Sequence, residues 1–217
     1  MLKEKEYILF DLDGTIINSG KGIINSAIYA LESFGIKIEK PEMLRSLIGP
    51  PLKDSIIAYF DLDSQKAEEI VLKYREHYGE KGLYECALYP GIKELLGDLA
   101  KAGKKPCIAT TKSTYFAEKI LSYLDVGQYF IKIAGSNLDG SRQDKHEVIE
   151  YCLKSLAIEN RKKVLMIGDR KYDIEGAKKS EIDFIAVSYG FGELSELKKA
   201  GAKTIVKDAL ELRKIIL

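Results

Sequence analysis

The sequence contains no tryptophan, only two histidines and only three cysteines among its 217 residues. The cysteines, Cys86, Cys107 and Cys152, are far apart in the chain, and no two of them form the CxxC pair of a zinc site. An odd number of separated cysteines is typical of reduced thiols rather than of a disulfide framework. We therefore expect a cytoplasmic protein.

The chain also lacks a long apolar run and an excess of one charge. No segment approaches the roughly 20 apolar residues of a membrane span, and the apolar run near the N-terminus is too short for a secretory signal. The formal net charge of +1 gives no general attraction to nucleic acid or to an anionic membrane, so we expect neither as a partner. Hydrophobic residues make up 46% of the chain, which predicts a globular protein with a sizeable core.

Beyond about residue 83, short apolar segments alternate with amphipathic ones. "KVLMIGD" and "DFIAVSYG" are typical of strands, whereas "TYFAEKILSYL" and "EVIEYCLKSL" are typical of helices. Such alternation predicts βαβ units, and therefore an α/β fold with a Rossmann-like parallel sheet and helices on both faces. The run from Tyr7 to Phe10 is equally apolar, so we assign it to the same sheet.

Residues 19–82 contain no convincing strand, and their apolar residues recur at helical spacing, as in Ile23, Ala27 and Leu31. This segment predicts about four helices, inserted directly after the first strand. We therefore expect a catalytic core formed by residues 1–18 and 83–217, and a four-helix-bundle-like domain formed by residues 19–82.

Polar residues follow the apolar runs at the points where ligands bind in open α/β sheets, beyond the carboxyl ends of the strands. Three of the predicted strands and one helix start contribute such residues. They are Asp11 and Asp13, then Thr110, Thr111 and Lys112, then Lys145, and finally Asp169 and Asp173. We expect these side chains to converge on one edge of the sheet.

A cluster of carboxylates needs a counter-charge, and Mg²⁺ bound by oxygen ligands is the usual one. Thr110 and Lys145 would supply a hydrogen bond and a positive charge to a phosphoryl group. Together these groups predict phosphoryl transfer through an aspartyl-phosphate. Three of these residues also have a simpler interpretation. Asp169 and Asp173 could be a helix N-cap and a first-turn acid, and Lys145 could be a solvated helix lysine.

Four segments resemble the motifs of the haloacid dehalogenase-like hydrolase superfamily, and they occur in the same order. They are "DLDGT" (11–15), "IATTK" (108–112), "DKHEVIEY" (144–151) and "MIGDRKYD" (166–173). The motifs span nearly the whole chain, and the helical insertion between the first two is similar to the cap of the phosphoglycolate phosphatase group. The resemblance implies a Mg²⁺-dependent phosphatase that acts on a small phosphorylated metabolite.

The resemblance implies a role for each motif residue. Asp11 would be the nucleophile, and Asp13 would protonate the leaving oxygen and later deprotonate the attacking water. Asp11, the backbone carbonyl of Asp13, and Asp169 would bind Mg²⁺, with Asp173 as a direct ligand or as the holder of a metal-bound water. Dehalogenating relatives lack an aspartate at the position of Asp13, so its presence favours a phosphate ester as substrate.

The phosphoryl oxygens would be bound by Thr110 and Lys145, together with backbone N–H groups such as that of Leu12. Thr111 replaces the Asn or Ser often found beside the second-motif threonine, and its hydroxyl could also bind phosphate. In the cap, Arg45 and Lys53 flank a segment that lies where capped relatives present a substrate loop, so they are possible substrate contacts. A solvated surface position is an equally good interpretation of Arg45.

The motifs leave several functions open. A phosphomutase of the β-phosphoglucomutase type keeps the same catalytic residues, and a phosphonatase would use a cap lysine such as Lys53 as a Schiff base. An aspartate phosphoacceptor or binding module without turnover is the alternative from another class, but such receiver domains are shorter and have no inserted cap. The physiological ester is not determined by the motifs, and the resemblance allows either a monomer or a homodimer.

Overall fold

The computed structural model describes residues 2–50 and 52–217, and for residues 41–43 it describes the backbone only. Contacts divide the chain into two compact units. The first consists of the residues up to Asn18 together with Leu88–Leu217, and the second is Ser19–Ala87. The second unit thus includes residues 83–87, which the sequence prediction assigned to the core.

The described residues form eight strands and nine α-helices. The strands are β1 (Tyr7–Phe10), β2 (Ile17–Asn18), β3 (Ala87–Leu88), β4 (Lys105–Ser113), β5 (Lys132–Ser136), β6 (Val164–Gly168), β7 (Asp183–Val187) and β8 (Ile205–Val206). The helices are α1 (Gly20–Ser33), α2 (Leu52–Phe60), α3 (Ser64–Glu80), α4 (Ile92–Lys101), α5 (Thr114–Tyr123), α6 (Lys145–Ser155), α7 (Lys171–Lys179), α8 (Leu194–Lys199) and α9 (Ala209–Ile216).

The first unit contains a six-stranded parallel sheet with the strand order β5-β4-β1-β6-β7-β8. Strand β1 is central, and Tyr7 pairs with Lys105 on one side and with Val164 on the other. Its apolar residues after Tyr7 are fully buried, as expected for a strand covered on both faces. The Rossmann-like α/β fold predicted from the sequence is confirmed. Because β4 and β6 flank β1, the residues that follow these three strands meet at one edge of the sheet.

Helix α6 packs on this sheet through one buried face. Val148, Ile149 and Cys152 of α6 lie in the same apolar cluster as Leu9 of β1 and Cys107 of β4. A hydrogen bond with Cys152 and then burial raise the pKa of the Cys107 thiol, so this thiol is protonated at neutral pH. The packing holds the first residue of α6, Lys145, against the ends of β1 and β4.

The second unit is helical, which confirms the insertion predicted after β1. It contains α1, α2 and α3, with a 3₁₀ helix at Pro41–Leu47 and another at Gly82–Tyr84. Its core contains residues such as Ala27, Leu31 and Ile70. The segment Pro41–Leu47 is thus a seven-residue 3₁₀ helix and not an α-helix. In the described part of the chain, no helix combines the length and hydropathy that a membrane span requires.

Candidate active site

A tight turn follows β1 and presents the two aspartates of the first motif. The Leu12 carbonyl accepts hydrogen bonds from the amides of Thr15, Ile16 and Ile17 at 3.3, 3.0 and 3.0 Å. Gly14 has φ +85°, a conformation that glycine adopts without strain. The chain thus turns directly after β1, and Asp11 and Asp13 belong to the turn itself.

Lys145 is 5% exposed, and its ammonium group donates two hydrogen bonds and forms an ion pair with a third group. Its Nζ lies 2.7 Å from Asp11 Oδ1, 2.8 Å from Asp173 Oδ1 and 3.0 Å from the Ala109 carbonyl oxygen. Burial lowers the pKa of Lys145, but the negative charges of Asp11 and Asp173 more than offset this, and the pKa is raised overall. The interpretation of Lys145 as a solvated helix lysine is wrong.

Three buried carboxylates form a cluster that suits a cation. Asp11, Asp169 and Asp173 each offer an oxygen, and these oxygens all lie within 4.8 Å of one another. Burial, followed by the charges of Asp173 and Asp11, raises the pKa of Asp169 well above its usual range. Burial also raises the pKa of Asp173 to about 6, although Lys145 opposes the shift. A divalent cation would offset this repulsion, and carboxylate oxygens are the ligands that Mg²⁺ prefers.

The loop after β7 holds one oxygen of Asp169. The backbone amides of Phe191 and Gly192 donate to Asp169 Oδ2 at 2.7 and 3.3 Å. Within residues 2–50 and 52–217, Asp169 Oδ1 is buried and has no hydrogen-bond partner, so it is the oxygen left for a metal ion. This support was not predicted from the sequence. Its signal was the pair of glycines in "GFG" (190–192), just beyond a strand of a parallel sheet.

Gly190→Ala is expected to disturb the site through a steric clash. A Cβ at Gly190 would overlap the Gly14 carbonyl oxygen and the Asp169 side chain. We expect the free energy of unfolding to fall by about 1–3 kcal/mol, with a loss of activity. Gly97→Ala is the control, because a Cβ at this position in α4 meets open space and should stabilise the helix by about 0.5–1 kcal/mol. Urea unfolding of the two variants would measure the difference, and equal effects would show that Gly190 is not closely packed.

Asp173 has two partners with different functions. It lies in the first turn of α7, and its Oδ2 accepts a hydrogen bond from the Arg170 amide at 3.0 Å. Its other oxygen, Oδ1, contacts Lys145 at 2.8 Å. The simpler interpretation of Asp173 as a first-turn acid is therefore correct, but the residue also belongs to the carboxylate cluster.

Thr110 lies in β4 directly after Ala109, whose carbonyl oxygen accepts a hydrogen bond from Lys145. Thr110 is 1% exposed, and its Oγ1 accepts a hydrogen bond from the Lys112 amide at 3.3 Å. The pairing of β4 with β5 shifts register between Ala109 and Ser113, which is an irregularity of the bulge type. Thr111 is half-buried in the same segment. The role of Thr111 in phosphate binding stays a prediction, as does that of the Leu12 amide.

Asp13 forms an ion pair that the sequence analysis did not predict. Lys112 Nζ lies 3.0 Å from Asp13 Oδ2, and the two side chains are only 8% and 16% exposed. Lys112 was predicted from the sequence to lie at this edge of the sheet, but no role was predicted for it. One carboxylate oxygen of Asp13 thus lies next to the Lys112 ammonium group in a largely buried site.

The two candidate substrate contacts, Arg45 and Lys53, both belong to the helical unit. Arg45 is exposed. Lys53 Nζ lies 2.8 Å from Glu68 Oε2 on α3, and both side chains are partly exposed. Their contacts with substrate stay predictions.

A sequence profile of the haloacid dehalogenase-like hydrolases matches residues 8–187, which is most of the chain. The chain belongs to the haloacid dehalogenase-like hydrolase family. A crystal structure of a predicted phosphatase from Clostridium acetobutylicum, a similar protein, shares 42% sequence identity, with a TM-score of 0.92 over 97% of each chain. The family membership inferred from the four motifs is confirmed.

Two curated relatives give the position of the chain within this hydrolase family. A 5′-nucleotidase from Pseudomonas aeruginosa is 38% identical over 211 residues, which cover 96% of this chain and 94% of the relative. A phosphoglycolate phosphatase from Colwellia psychrerythraea is 26% identical over 208 residues, 92% of each chain. The protein is therefore an enzyme, a phosphatase of this family that is close to the bacterial phosphoglycolate phosphatase-like members.

Proposed function

We propose that this phosphatase hydrolyses a small phosphate monoester through an aspartyl-phosphate formed on Asp11, with Mg²⁺ as its cofactor. The observation that carries the proposal is the buried cluster of Asp11, Asp169 and Asp173 around the ammonium group of Lys145. Such a cluster destabilises the folded protein, because burying several like charges costs free energy unless a ligand of opposite charge binds to them.

In the first half-reaction, a carboxylate oxygen of Asp11 attacks phosphorus. A new bond forms between this oxygen and phosphorus while the ester P–O bond breaks. The carboxyl group of Asp13 transfers its proton to the leaving oxygen, so that an alcohol and not an alkoxide departs. The products of this step are the free alcohol, the aspartyl-phosphate and an ionised Asp13.

In the second half-reaction, the ionised Asp13 accepts a proton from a water molecule. The oxygen of that water bonds to phosphorus, and the bond between phosphorus and the Asp11 oxygen breaks. Inorganic phosphate leaves, Asp11 is again a carboxylate and Asp13 is again protonated. One carboxyl group therefore serves first as the general acid and then as the general base.

The phosphoryl oxygens need partners that are already in place. Thr110 is buried and directly follows Ala109. Lys145 is held by hydrogen bonds to the Ala109 carbonyl oxygen and to Asp11, and by an ion pair with Asp173. We assign the phosphoryl contacts to these two side chains, with the Leu12 amide and Thr111 as further donors. Because Lys145 also pairs with Asp11, it would reduce the repulsion between this nucleophile and the anionic phosphoryl group.

The proposed cofactor fits the residues that are present. Asp11, Asp169 and Asp173 offer oxygens within 4.8 Å of one another, and Asp169 Oδ1 is held free of other partners in the described chain. With the backbone carbonyl of Asp13, they would hold Mg²⁺. The bound cation would neutralise negative charge on the phosphoryl group and on the carboxylates.

The substrate is proposed as a small phosphorylated metabolite. Nucleoside 5′-monophosphates and phosphoglycolate are the first esters to test, because relatives of this chain are named as a 5′-nucleotidase and a phosphoglycolate phosphatase. We also propose that residues 19–82 act as a cap that supplies substrate contacts, with Arg45 and Lys53 as the candidate side chains.

The test is phosphate release from a panel of esters in Mg²⁺ or in EDTA. The panel would contain phosphoglycolate, nucleoside 5′-monophosphates, hexose phosphates and p-nitrophenyl phosphate. We expect release in Mg²⁺ and its loss in EDTA, and the ester with the highest kcat/KM would name the substrate class. Release that is unchanged in EDTA would contradict the cofactor assignment.

A thermal melt without substrate gives a second measure of metal binding. Because the cation would relieve repulsion in the folded state alone, Mg²⁺ should raise Tm. The gain in stability is about 2.7 kcal/mol at a hundredfold excess over Kd. A Tm that is the same in Mg²⁺ and EDTA would count against a metal site at these aspartates.

A further inference from the structure

Lys112 contacts two residues of the site through different groups. Its ammonium lies 3.0 Å from Asp13 Oδ2, and its backbone amide donates a hydrogen bond to Thr110 Oγ1 at 3.3 Å. The Lys112 side chain is 8% exposed, although most lysines extend into solvent. Burying the charged end of a lysine costs folding free energy. We therefore expect Lys112 to have a specific function in the site.

The backbone around Lys112 is shaped to bring it to this position. The register shift of β4 between Ala109 and Ser113 includes Lys112, and such irregularities redirect side chains beside active sites. On the neighbouring strand β5, Gly135 lies so close that a Cβ there would overlap the Lys112 carbonyl oxygen. The approach of the two strands therefore fixes the backbone from which the lysine extends.

The two oxygens of Asp13 have different surroundings. Oδ2 is next to the Lys112 ammonium. In the part of the chain that the structure describes, Oδ1 is buried and has no hydrogen-bond partner. A carboxyl group fixed through one oxygen keeps the other oxygen in a defined place, and proton transfer requires such placement.

We propose that Lys112 is a positioning residue for Asp13. The Lys112 ammonium holds Asp13 Oδ2, and Asp13 Oδ1 is then the oxygen that gives a proton to the leaving group and later accepts a proton from water. The inference rests on the proposed function, because it assigns a partner to the proposed general acid and base. Lys112 acts through Asp13 and makes no contact with the phosphoryl group.

This role predicts a dependence on the leaving group that a general structural role does not. The value of kcat/KM covers the steps up to formation of the aspartyl-phosphate. Phenyl phosphate and p-nitrophenyl phosphate differ by one nitro group, and p-nitrophenolate is much the less basic leaving group. Proton transfer from Asp13 therefore matters for the phenyl ester and much less for the p-nitrophenyl ester.

The experiment compares kcat/KM for the two esters in wild type and in Lys112→Met, which keeps the length of the side chain but removes its charge. General acid–base catalysis contributes roughly 10²- to 10⁴-fold. Loss of the positioning residue should lower kcat/KM for phenyl phosphate by about tenfold or more. The loss for p-nitrophenyl phosphate should be below about threefold. Lys101→Met is the matched control, because the Lys101 side chain is 84% exposed, and it should change neither value.

Equal losses for the two esters, or no loss for either, would overturn the proposal. Equal losses would indicate that Lys112 binds the phosphoryl group or only supports the fold. If Lys112→Met does not fold, as judged by circular dichroism and Tm, Lys112→Arg provides the same test. Arginine keeps the charge but not the geometry of the ammonium, so its losses should be smaller and still greater for the phenyl ester. If wild type releases phosphate from these two esters and from every other ester of the panel at no measurable rate, the proposed function fails and the inference fails with it.

Discussion

Asp11→Asn is expected to lower the rate of phosphate release by about 10³-fold or more for every ester. The amide of asparagine is a poor nucleophile, so no acyl phosphate forms at this position. The variant also loses the anionic oxygen that lies 2.7 Å from Lys145 Nζ. Initial rates in Mg²⁺, measured at substrate concentrations above and below KM, would show that the loss is in kcat and not only in binding.

Asp139→Asn is the matched control for this change. Asp139 lies in the loop after β5, where its Oδ1 accepts hydrogen bonds from Ser141, and an asparagine oxygen can accept the same bonds. We expect this variant to retain the wild-type rate. If Asp11→Asn also turned over at the wild-type rate, the nucleophile would have to be another residue, and the mechanism built on Asp11 would be wrong.

Lys145→Met is expected to reduce both activity and stability. Lys145 is the cation next to Asp11 and Asp173, and all three side chains are buried. Removing one partner of a buried ion pair leaves uncompensated charge, which costs about 3–5 kcal/mol of folding free energy. Activity should fall as well, because the proposed phosphoryl contact and the screening of Asp11 are both lost. Urea unfolding in EDTA would measure the stability.

Two comparisons sharpen the Lys145 prediction. Lys154→Met changes an exposed lysine of the same helix and should have little effect on either measurement. Adding Mg²⁺ should recover more stability in Lys145→Met than in wild type, because the cation then replaces the missing positive charge. Equal unfolding free energies for Lys145→Met and Lys154→Met in EDTA would show that the buried lysine does not compensate the carboxylates.

The sequence was sufficient to predict the sheet and the convergence of most site residues, for a specific physical reason. A central strand of a parallel sheet is buried on both faces, so β1 is a continuous apolar run that ends abruptly at Asp11. The same signal marks the ends of β4 and β6. Lys145 is different: as an isolated helix residue it carried no signal, and only its position within the motif predicted its place.

Other features of the site arise from tertiary contacts, and no periodic pattern in the sequence indicates them. The register shift in β4 lies between Ala109 and Ser113 and so includes Lys112, and the alternation of apolar and polar residues does not reveal such a shift. The support of Asp169 comes from backbone amides at Phe191 and Gly192, which are independent of side-chain type.

The central place of β1 has a consequence for how the chain is made. Among the described residues, β1 pairs with β4 and β6, which begin at Lys105 and Val164, so the first strand cannot pair until both have been synthesised. The helical unit from Ser19 to Ala87, whose internal contacts are complete much earlier, emerges in the meantime. Pairing across such sequence separations is slow, because long loops must close before the contacts form. Asp11 therefore meets Asp169 and Asp173 only after the segment that carries these two aspartates has been synthesised.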